Sequence, residues 1–421
     1  MATTDPAHVT RRAVEAVWRM ESAKLIATLA RYVQDVGLAE ELAQDALVAA
    51  LEQWPADGVP PNPAAWLTST AKHRAVDVLR RRTTYARKLA EVGRDLATRE
   101  ATADPMAAVE DVRIEDDLLR LIFTACHPVL TTDARVTLTL RLLGGLTTAE
   151  IARALLIPEP TAGQRISRAK KILASRRVPF DLPPPDQLAD RLTAVLGVIY
   201  LIFNEGYAAT AGADWMRPAL AEEALRLGRM LASLLPTEPE THGLVALMEL
   251  QASRMPSRTG PAGEAVLLPD QDRRRWDRLL IRRGLDALRR AQDLGGGFGR
   301  YTLQAAIAAC HARAGTPAET DWAEIAAIYQ VLAQVAPSPV VELNRAVAVG
   351  MASGPERGLD LVEKLAGESA LAGYPYYPAV RGDLLARLGR LDEAGAAFRQ
   401  AADLTGNAAE RALFLRRAAQ P

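Results

Sequence analysis

Apolar and polar positions follow a helical period along most of the chain, most clearly between Leu146 and Leu173. There the pattern predicts two short helices joined by a tight turn. A threonine cap and an acidic first turn open the first helix at Thr147, and Pro158 and Pro160 separate it from the second. The second helix has an apolar face made of Ala162, Ile166, Ala169 and Leu173. Its opposite face carries Thr161, Gln164, Arg165 and Arg168. A DNA-reading helix-turn-helix has this pattern, and so has an amphipathic hairpin with a solvated basic face.

Three segments interrupt the helical pattern elsewhere. The first is a loop at residues 55–61, after which Asn62 caps a new helix with Pro63 at its first position. The second is a polar stretch before Ile114, and the third is the proline-rich run 179–185. We therefore predict an all-α protein with parts at residues 1–98, 113–178 and 191–421, an acidic linker at 99–112 and a proline-rich linker at 179–190.

The last part has repeat character. Small and large residues recur there with the spacing of a tetratricopeptide helix pair, at Gly382, Leu385, Gly389, Ala394, Phe398 and Ala401. Degraded equivalents occur around Gly358 and Val362 and around Tyr329 and Pro337. Stacked helical hairpins are favoured, although a generic helical bundle has the same composition. Earlier in this part, Gly206 is predicted to cap a helix C-terminus.

Charge is balanced overall, with 51 basic and 51 acidic residues, but it is unevenly distributed. Residues 68–88 carry seven Lys or Arg against one acid, and residues 161–177 carry six against none. The stretch from Asp104 to Asp117 between them is acidic, either a mimic of nucleic acid or a soluble tether. A third basic cluster is most simply a solvated helix face, with a site for DNA or for the preceding parts of the chain as the alternative. It comprises Arg273, Arg274, Arg275, Arg278, Arg282 and Arg283.

Other chemistry is not indicated by the sequence. The pairs Cys126–His127 and Cys310–His311 read as buried thiols beside chance histidines, because adjacent helical residues point about 100° apart. We predict no metal, no cofactor and no catalytic residues, and therefore not an enzyme. Without a signal peptide or a membrane-length apolar run, the expected location is cytoplasmic.

Two blocks resemble a known family. The segment 38–54, followed by Ala65 to Arg81 (AWLTSTAKHRAVDVLRR), resembles region 2 of extracytoplasmic-function RNA polymerase sigma factors, which are of the sigma-70 type. Leu118 to Leu173 resembles their region 4. The segment Leu201 to Tyr207 (LIFNEGY) is similar to the helical extension of a subgroup with tetratricopeptide-like repeats.

The resemblance implies partners and site residues. It implies binding to core RNA polymerase at its β′ coiled coil and β flap, and to promoter DNA. Reading of the −35 element is expected at Thr161, Gln164, Arg165, Arg168 and Lys171. Reading of the −10 element is expected at Asn62, Lys72, His73, Arg74, Arg80 and Arg81. Polymerase binding is expected at Glu41, Leu42, Asp45, Leu47 and Trp54, on a helix whose carboxylate-rich face also includes Glu40 and Glu52.

The expected function is therefore that of a sigma factor with a fused C-terminal regulatory domain. Helical repeats usually bind proteins or peptides, so the C-terminal part is expected to have such a partner. Two rivals remain: a helix-turn-helix transcription regulator that never joins polymerase, and a helical-repeat scaffold. The first leaves the acidic helix at Glu41 and Asp45 without a role.

Overall fold

The computed structural model describes residues 6–92, 114–261 and 263–419. Within these ranges the protein is all-α, as predicted, with eighteen α-helices and one pair of two-residue strands. It divides into two compact units, Met1–Val198 and Ile199–Pro421. The predicted acidic linker 99–112 lies outside the described residues.

Three long helices begin the first unit, α1 (Pro6–Val33), α2 (Val36–Asp57) and α3 (Pro63–Val92). Asp35 caps α2 by accepting the amides of Gly37 and Leu38 at 2.8 and 3.1 Å. Asn62 Oδ1 accepts the amide of Ala65 at 3.0 Å, so the predicted start of α3 is confirmed. The side chain of Trp54 is buried where α2 meets α3, and its ring packs edge-on against Trp66 at 5.5 Å.

Four shorter helices follow, α4 (Ile114–Ala125), α5 (Thr132–Leu142), α6 (Thr148–Leu155) and α7 (Glu159–Ser175). The predicted helix pair is confirmed as α6 and α7. Thr147 and Glu150 form a capping box at the start of α6, and Leu156 ends that helix in the left-handed region at φ 50°. The predicted apolar face of α7 is buried along its whole length, at Ala162, Ile166, Ala169 and Leu173.

The remaining helices are α8 (Pro185–Tyr207), α9 (Pro218–Leu234), α10 (Pro239–Ala252), α11 (Arg278–Asp293), α12 (Arg300–Arg313), α13 (Trp322–Val335), α14 (Pro339–Ser353), α15 (Pro355–Glu363), α16 (Tyr376–Arg387), α17 (Leu391–Leu404) and α18 (Ala408–Ala419). Strand β1 (Ala211–Gly212) pairs in parallel with β2 (Gly406–Asn407). Short 3₁₀ helices lie between the α-helices of this unit, including Leu268–Asp270, Arg273–Arg275 and Pro317–Glu319.

Helices that follow one another in the second unit pack as neighbours, from α13 with α14 to α17 with α18. Phe398 of α17 is fully buried, and a Cβ on Gly382 of α16 would lie only 3.0 Å from its ring. Gly389 takes the positive φ, 74°, that the turn between the two helices needs. The small and large residues of the sequence pattern thus form the predicted helix pair. A relation to tetratricopeptide repeats stays a prediction.

Gly206 does not cap a helix, which corrects the prediction from sequence. It lies inside the last turn of α8, which continues to Tyr207. A Cβ on Gly206 would stand 2.3 Å from the backbone nitrogen of Ala221 in α9. The glycine is therefore there for close helix packing, because the absence of a side chain lets the two backbones meet.

We expect Gly206→Ala to lower the free energy of unfolding by about 1–3 kcal/mol, because backbone must move to admit the methyl group. Gly197→Ala in the same helix is the matched control, since a Cβ there meets nothing within 4 Å. The control should raise stability by up to about 1 kcal/mol through helix propensity. Hydrogen exchange in peptides around each position measures both, because the chain has two compact units and need not unfold in one step. Equal effects at the two positions would contradict the packing argument.

Candidate nucleic-acid interface

The outer face of α7 is formed by the polar residues that the sequence predicts for it. The side chains of Gln164, Arg168 and Lys171 are exposed. Each of them makes no hydrogen bond or ion pair with another residue in the described ranges. Thr161 is half-buried near the start of the helix. The face therefore offers an amide and two cations to an incoming ligand, which suits both base edges and phosphates.

Arg165 lies on the same face but already has a partner. Its Nη2 is 3.0 Å from Oδ2 of Asp133 on α5, and its side chain is one-third exposed. An ion pair this open to solvent is worth less than about 1 kcal/mol, so a phosphate or guanine can replace the carboxylate at little cost. Asp133 was not predicted from sequence. It fixes the position of the Arg165 side chain against α5.

Lys170 points the opposite way and joins α7 to α2. Its Nζ contacts the carboxylate of Glu40, whose Oε1 also accepts from Nε of Arg141 on α5 at 2.6 Å. Glu40 is only 2% exposed, which corrects its predicted place on the solvent face of α2. Two cations from other helices neutralise this carboxylate, and that is why it can be buried. We call these three residues the Glu40 cluster.

A second buried carboxylate joins α1 to α4. Asp117 lies 3.2 Å from Nε of Arg31 and 3.0 Å from Nη1 of Arg120. Burial raises the pKa of Asp117, and the two guanidinium groups oppose that rise. Asp117 is thus a packed residue of α4 and not the end of a solvated tether, which corrects that part of the sequence interpretation.

The basic residues predicted on α3 lie mostly on its outer side. His73, Arg80 and Arg81 are exposed, and Asn62 is exposed at the helix start. Two others lean on neighbouring helices. Nη1 of Arg74 is 3.4 Å from Asp45 of α2, and Nζ of Lys72 lies 5.9 Å from the ring centre of Tyr32 in α1. The outer side of α3 is therefore basic, and the side chains beyond Arg81 in this helix lie outside the described residues.

The predicted polymerase-binding residues on α2 separate into two groups. Glu41 and Asp45 are exposed and Leu47 is partly exposed, whereas Leu42 and Trp54 are core residues with 3% and 2% exposure. Sequence reasoning missed that two apolar side chains are exposed here. Val48 is 50% exposed and Leu51 is 39% exposed, so this helix presents apolar groups beside its carboxylates. The two side chains are three residues apart and therefore lie on one face of α2.

Both cysteine thiols are buried, as the sequence predicts, and of the two histidines His311 is buried and His127 is half-buried. Burial raises the pKa of Cys126 to about 11 and that of Cys310 to about 12, so both thiols stay protonated. Burial also lowers the pKa of His127 to about 4 and that of His311 to about 3. Within the described ranges there is no group of three or more His, Cys, Asp or Glu side chains that could hold a metal ion.

None of the helices in the described part of the chain has the length and apolar character needed to cross a membrane.

Comparison with protein families identifies two parts of the first unit. Residues 18–85 match sigma-70 region 2, and residues 120–173 match sigma-70 region 4. The chain belongs to the sigma-70 family. In this chain α2 and most of α3 lie in the region 2 match, and α6 and nearly all of α7 lie in the region 4 match. The two regions support a role in promoter-directed transcription, with core RNA polymerase and promoter DNA as partners.

The C-terminal part of this sigma-70 protein, and the chain as a whole, match sequences whose function is not established. Residues 191–292 match a family of unknown function, DUF6596. The whole chain is similar to an uncharacterized protein of Rhizobium meliloti (strain 1021), with 45% identity over 390 residues that cover 91% of this chain and 90% of the relative. No solved structure matches the chain at a significant level.

Proposed function

We propose that this protein is a sigma factor that binds core RNA polymerase and directs initiation at specific promoters, with residues 191–421 regulating it in cis. We place it in the extracytoplasmic-function group, with a C-terminal extension of the tetratricopeptide-like kind. The observation that carries the proposal is one compact unit with two exposed basic surfaces, on α3 and α7, in the family's order.

In this proposal α7 reads the −35 element. Arg168 and Lys171 are free to meet the major groove or its phosphates, and Arg165 joins them when it leaves Asp133. Thr161 and Gln164 complete the face. Region 2 reads the −10 element through the exposed part of α3, where Arg80 and Arg81 contact phosphates and His73 contacts a base.

The β′ subunit binds the exposed side of α2. Carboxylates at Glu41 and Asp45 attract a basic partner, and Val48 and Leu51 supply apolar area beside them. Leu42 and Trp54 act from the core by holding α2 against α3. Leu47 borders the exposed strip.

Promoter reading requires regions 2 and 4 to separate. Elements named −35 and −10 are centred about 25 base pairs apart, which is about 85 Å of duplex at about 3.4 Å per base pair. Helix α7 has 17 residues and is about 25 Å long, and it contacts α2 directly through the Glu40 cluster. The two DNA-reading surfaces are therefore too close to engage both elements at once, and the described arrangement is a closed form.

Run-off transcription with purified core polymerase tests the function. Genomic fragments serve as templates, because the promoter sequence is not known. Full-length protein, a 1–178 fragment and Arg165→Ala are compared. We expect initiation from a defined subset of fragments that depends on full-length protein and weakens with Arg165→Ala. Specific DNA binding without any initiation would favour the regulator, and neither activity would favour the scaffold.

Arg168→Ala should weaken specific promoter binding by about 1–3 kcal/mol, or about 5- to 150-fold, because it removes an unpaired cation from the reading face. Arg289→Ala removes the same charge from the exposed side of α11 and is the matched control. Electrophoretic mobility shift of the polymerase complex measures both, at fixed salt concentration. If the two variants bind promoter DNA equally well, Arg168 is not part of the DNA interface.

A further inference from the structure

The second unit contains a cavity of about 320 Å³ that no match assigns to a function. It lies among α12, α14, α16, α18 and the segment 267–273. Its walls are mainly apolar and include Trp215, Leu268, Trp322, Met351 and Phe414. Small-molecule sites have volumes of about 300–1,000 Å³ and apolar walls with a few polar groups, so this cavity suits a compact ligand.

One wall carries a buried cation that makes no ion pair in the described ranges. Arg273 is 5% exposed, and its Nη atoms donate to the carbonyl oxygens of His311 and Ala314 and to Oγ1 of Thr320, at 2.8–2.9 Å. No carboxylate lies within ion-pair distance of it in the described ranges, and the carboxylate of Glu319 acts on it only from beyond that distance. Its Nε has no hydrogen-bond partner. A buried charge that is fixed in place but not neutralised is costly unless an anion binds beside it.

Two residues that line the same cavity carry further unpaired nitrogens. Nδ1 of His311, which is 8% exposed, has no partner, and neither has Nε1 of Trp215. Burial, helped by Arg254 and Arg273, lowers the pKa of His311 to about 3, so the ring is neutral at pH 7. Indole always donates through Nε1, and a neutral imidazole donates through one nitrogen. Buried polar atoms are rarely left unpaired in folded proteins, so this cluster points to a ligand.

The acidic side chains of the cavity are already occupied. Asp383 is shared by Arg387 at 3.0 Å and Arg417 at 2.5 Å. Glu410 accepts hydrogen bonds from Tyr376 and, at 2.5 Å, from Thr405. The lining residues therefore carry three guanidinium groups against two carboxyl groups, and Arg273 is the guanidinium that makes no ion pair with either carboxyl group.

We propose that this cavity binds a small organic carboxylate whose apolar body fills the space between the aromatic walls. The carboxylate pairs with the guanidinium of Arg273, and His311 and Trp215, each with an unpaired nitrogen, line the same site. A single negative charge matches the single unmatched cation, and the apolar walls exclude a highly charged ligand such as a nucleotide. This binding does not depend on the proposed role in transcription, because it requires neither polymerase nor DNA.

Calorimetric titration of the full-length protein tests the site with 2-naphthoate, indole-3-acetate and octanoate, and with neutral 2-naphthamide as the uncharged match. We expect at least one carboxylate to bind and 2-naphthamide to bind about 10- to 100-fold more weakly than 2-naphthoate. Arg273→Met should weaken carboxylate binding by a similar factor. Arg274→Met is the control, since that neighbouring side chain is 90% exposed.

A second variant keeps the test decisive if Arg273→Met fails to fold. Val347→Trp fills the cavity from α14, where Val347 is only half-buried, and it leaves Arg273 in place. Binding should then disappear while the circular dichroism spectrum stays that of the unmodified protein. The proposal is wrong if no carboxylate binds at up to about 1 mM. It is also wrong if amide and carboxylate bind equally, or if binding survives Val347→Trp.

Discussion

Oxidation of a Gly37→Cys/Lys170→Cys variant is expected to stop promoter-directed transcription, and reduction is expected to restore it. A Cβ on Gly37 lies 3.6 Å from Cβ of Lys170, within the range of roughly 3.5–4.5 Å found in disulfides. Its nearest neighbour, Oδ1 of Asp35 at 3.2 Å, must give by only a few tenths of an ångström. The disulfide would hold α7 on α2, so region 4 could not reach the −35 element while region 2 reads the −10 element. Initiation should fall at least about tenfold.

The same protein before and after reduction is the main control for this lock, because both forms lack Lys170. The single variants Gly37→Cys and Lys170→Cys should not respond to oxidant. Cys126 and Cys310 are buried with raised thiol pKa values and will not compete for the new cysteines. If the fully oxidised variant initiates as well as the reduced one, regions 2 and 4 need not separate, and the closed-form proposal fails.

Local features of the fold could be predicted from sequence because local interactions determine them. The capping box at Thr147 and the four-residue apolar face of α7 are set by neighbours within one or two helical turns. The helix pair α16–α17 follows from the spacing of Gly382 and Phe398 for the same reason. In each case the periodicity contained all the necessary information.

At Glu40 the helical periodicity and the residue type predict opposite faces of α2, and the residue type gave the wrong face. It lies four residues after Val36 and three before Ala43, both buried, so the spacing alone places it on the inner stripe of α2. Its charge favoured the solvent face instead. The decisive partners are Arg141 and Lys170, more than 100 residues away, and a pairing at that separation cannot be read from one sequence.

The cavity in the second unit was beyond sequence reasoning for a related reason. Arg273 belongs to a basic cluster that was interpreted as a solvated face, and its neighbours Arg274 and Arg275 are indeed exposed. A single 3₁₀ turn directs Arg273 inward, onto carbonyl groups near residue 311. Helical periodicity carries no signal for such a turn, so the only buried member of the cluster could not be distinguished from the others.

Glu40→Ala is expected to lower the free energy of unfolding of the first unit by about 3–5 kcal/mol. Without the carboxylate, Arg141 and Lys170 remain as two mostly buried cations, each 19% exposed, with nothing to neutralise them. Glu40→Gln keeps an acceptor for Arg141 and should cost less. Glu41→Ala, at the exposed neighbouring position, should change stability by less than about 0.5 kcal/mol.

Hydrogen exchange of the full-length protein resolves this effect by segment, since the chain has two compact units and need not unfold in one step. Protection should fall in peptides from α2, α5 and α7 and stay unchanged in peptides after residue 199. Unchanged protection in α2 would mean that the Glu40 cluster contributes no net stability.

Run-off transcription then separates two roles for Glu40. If the cluster only holds the closed form, Glu40→Ala should initiate at least as well as the unmodified protein, because opening costs less. If Glu40→Ala loses both stability and initiation, Glu40 contributes to polymerase binding by holding α2 in position.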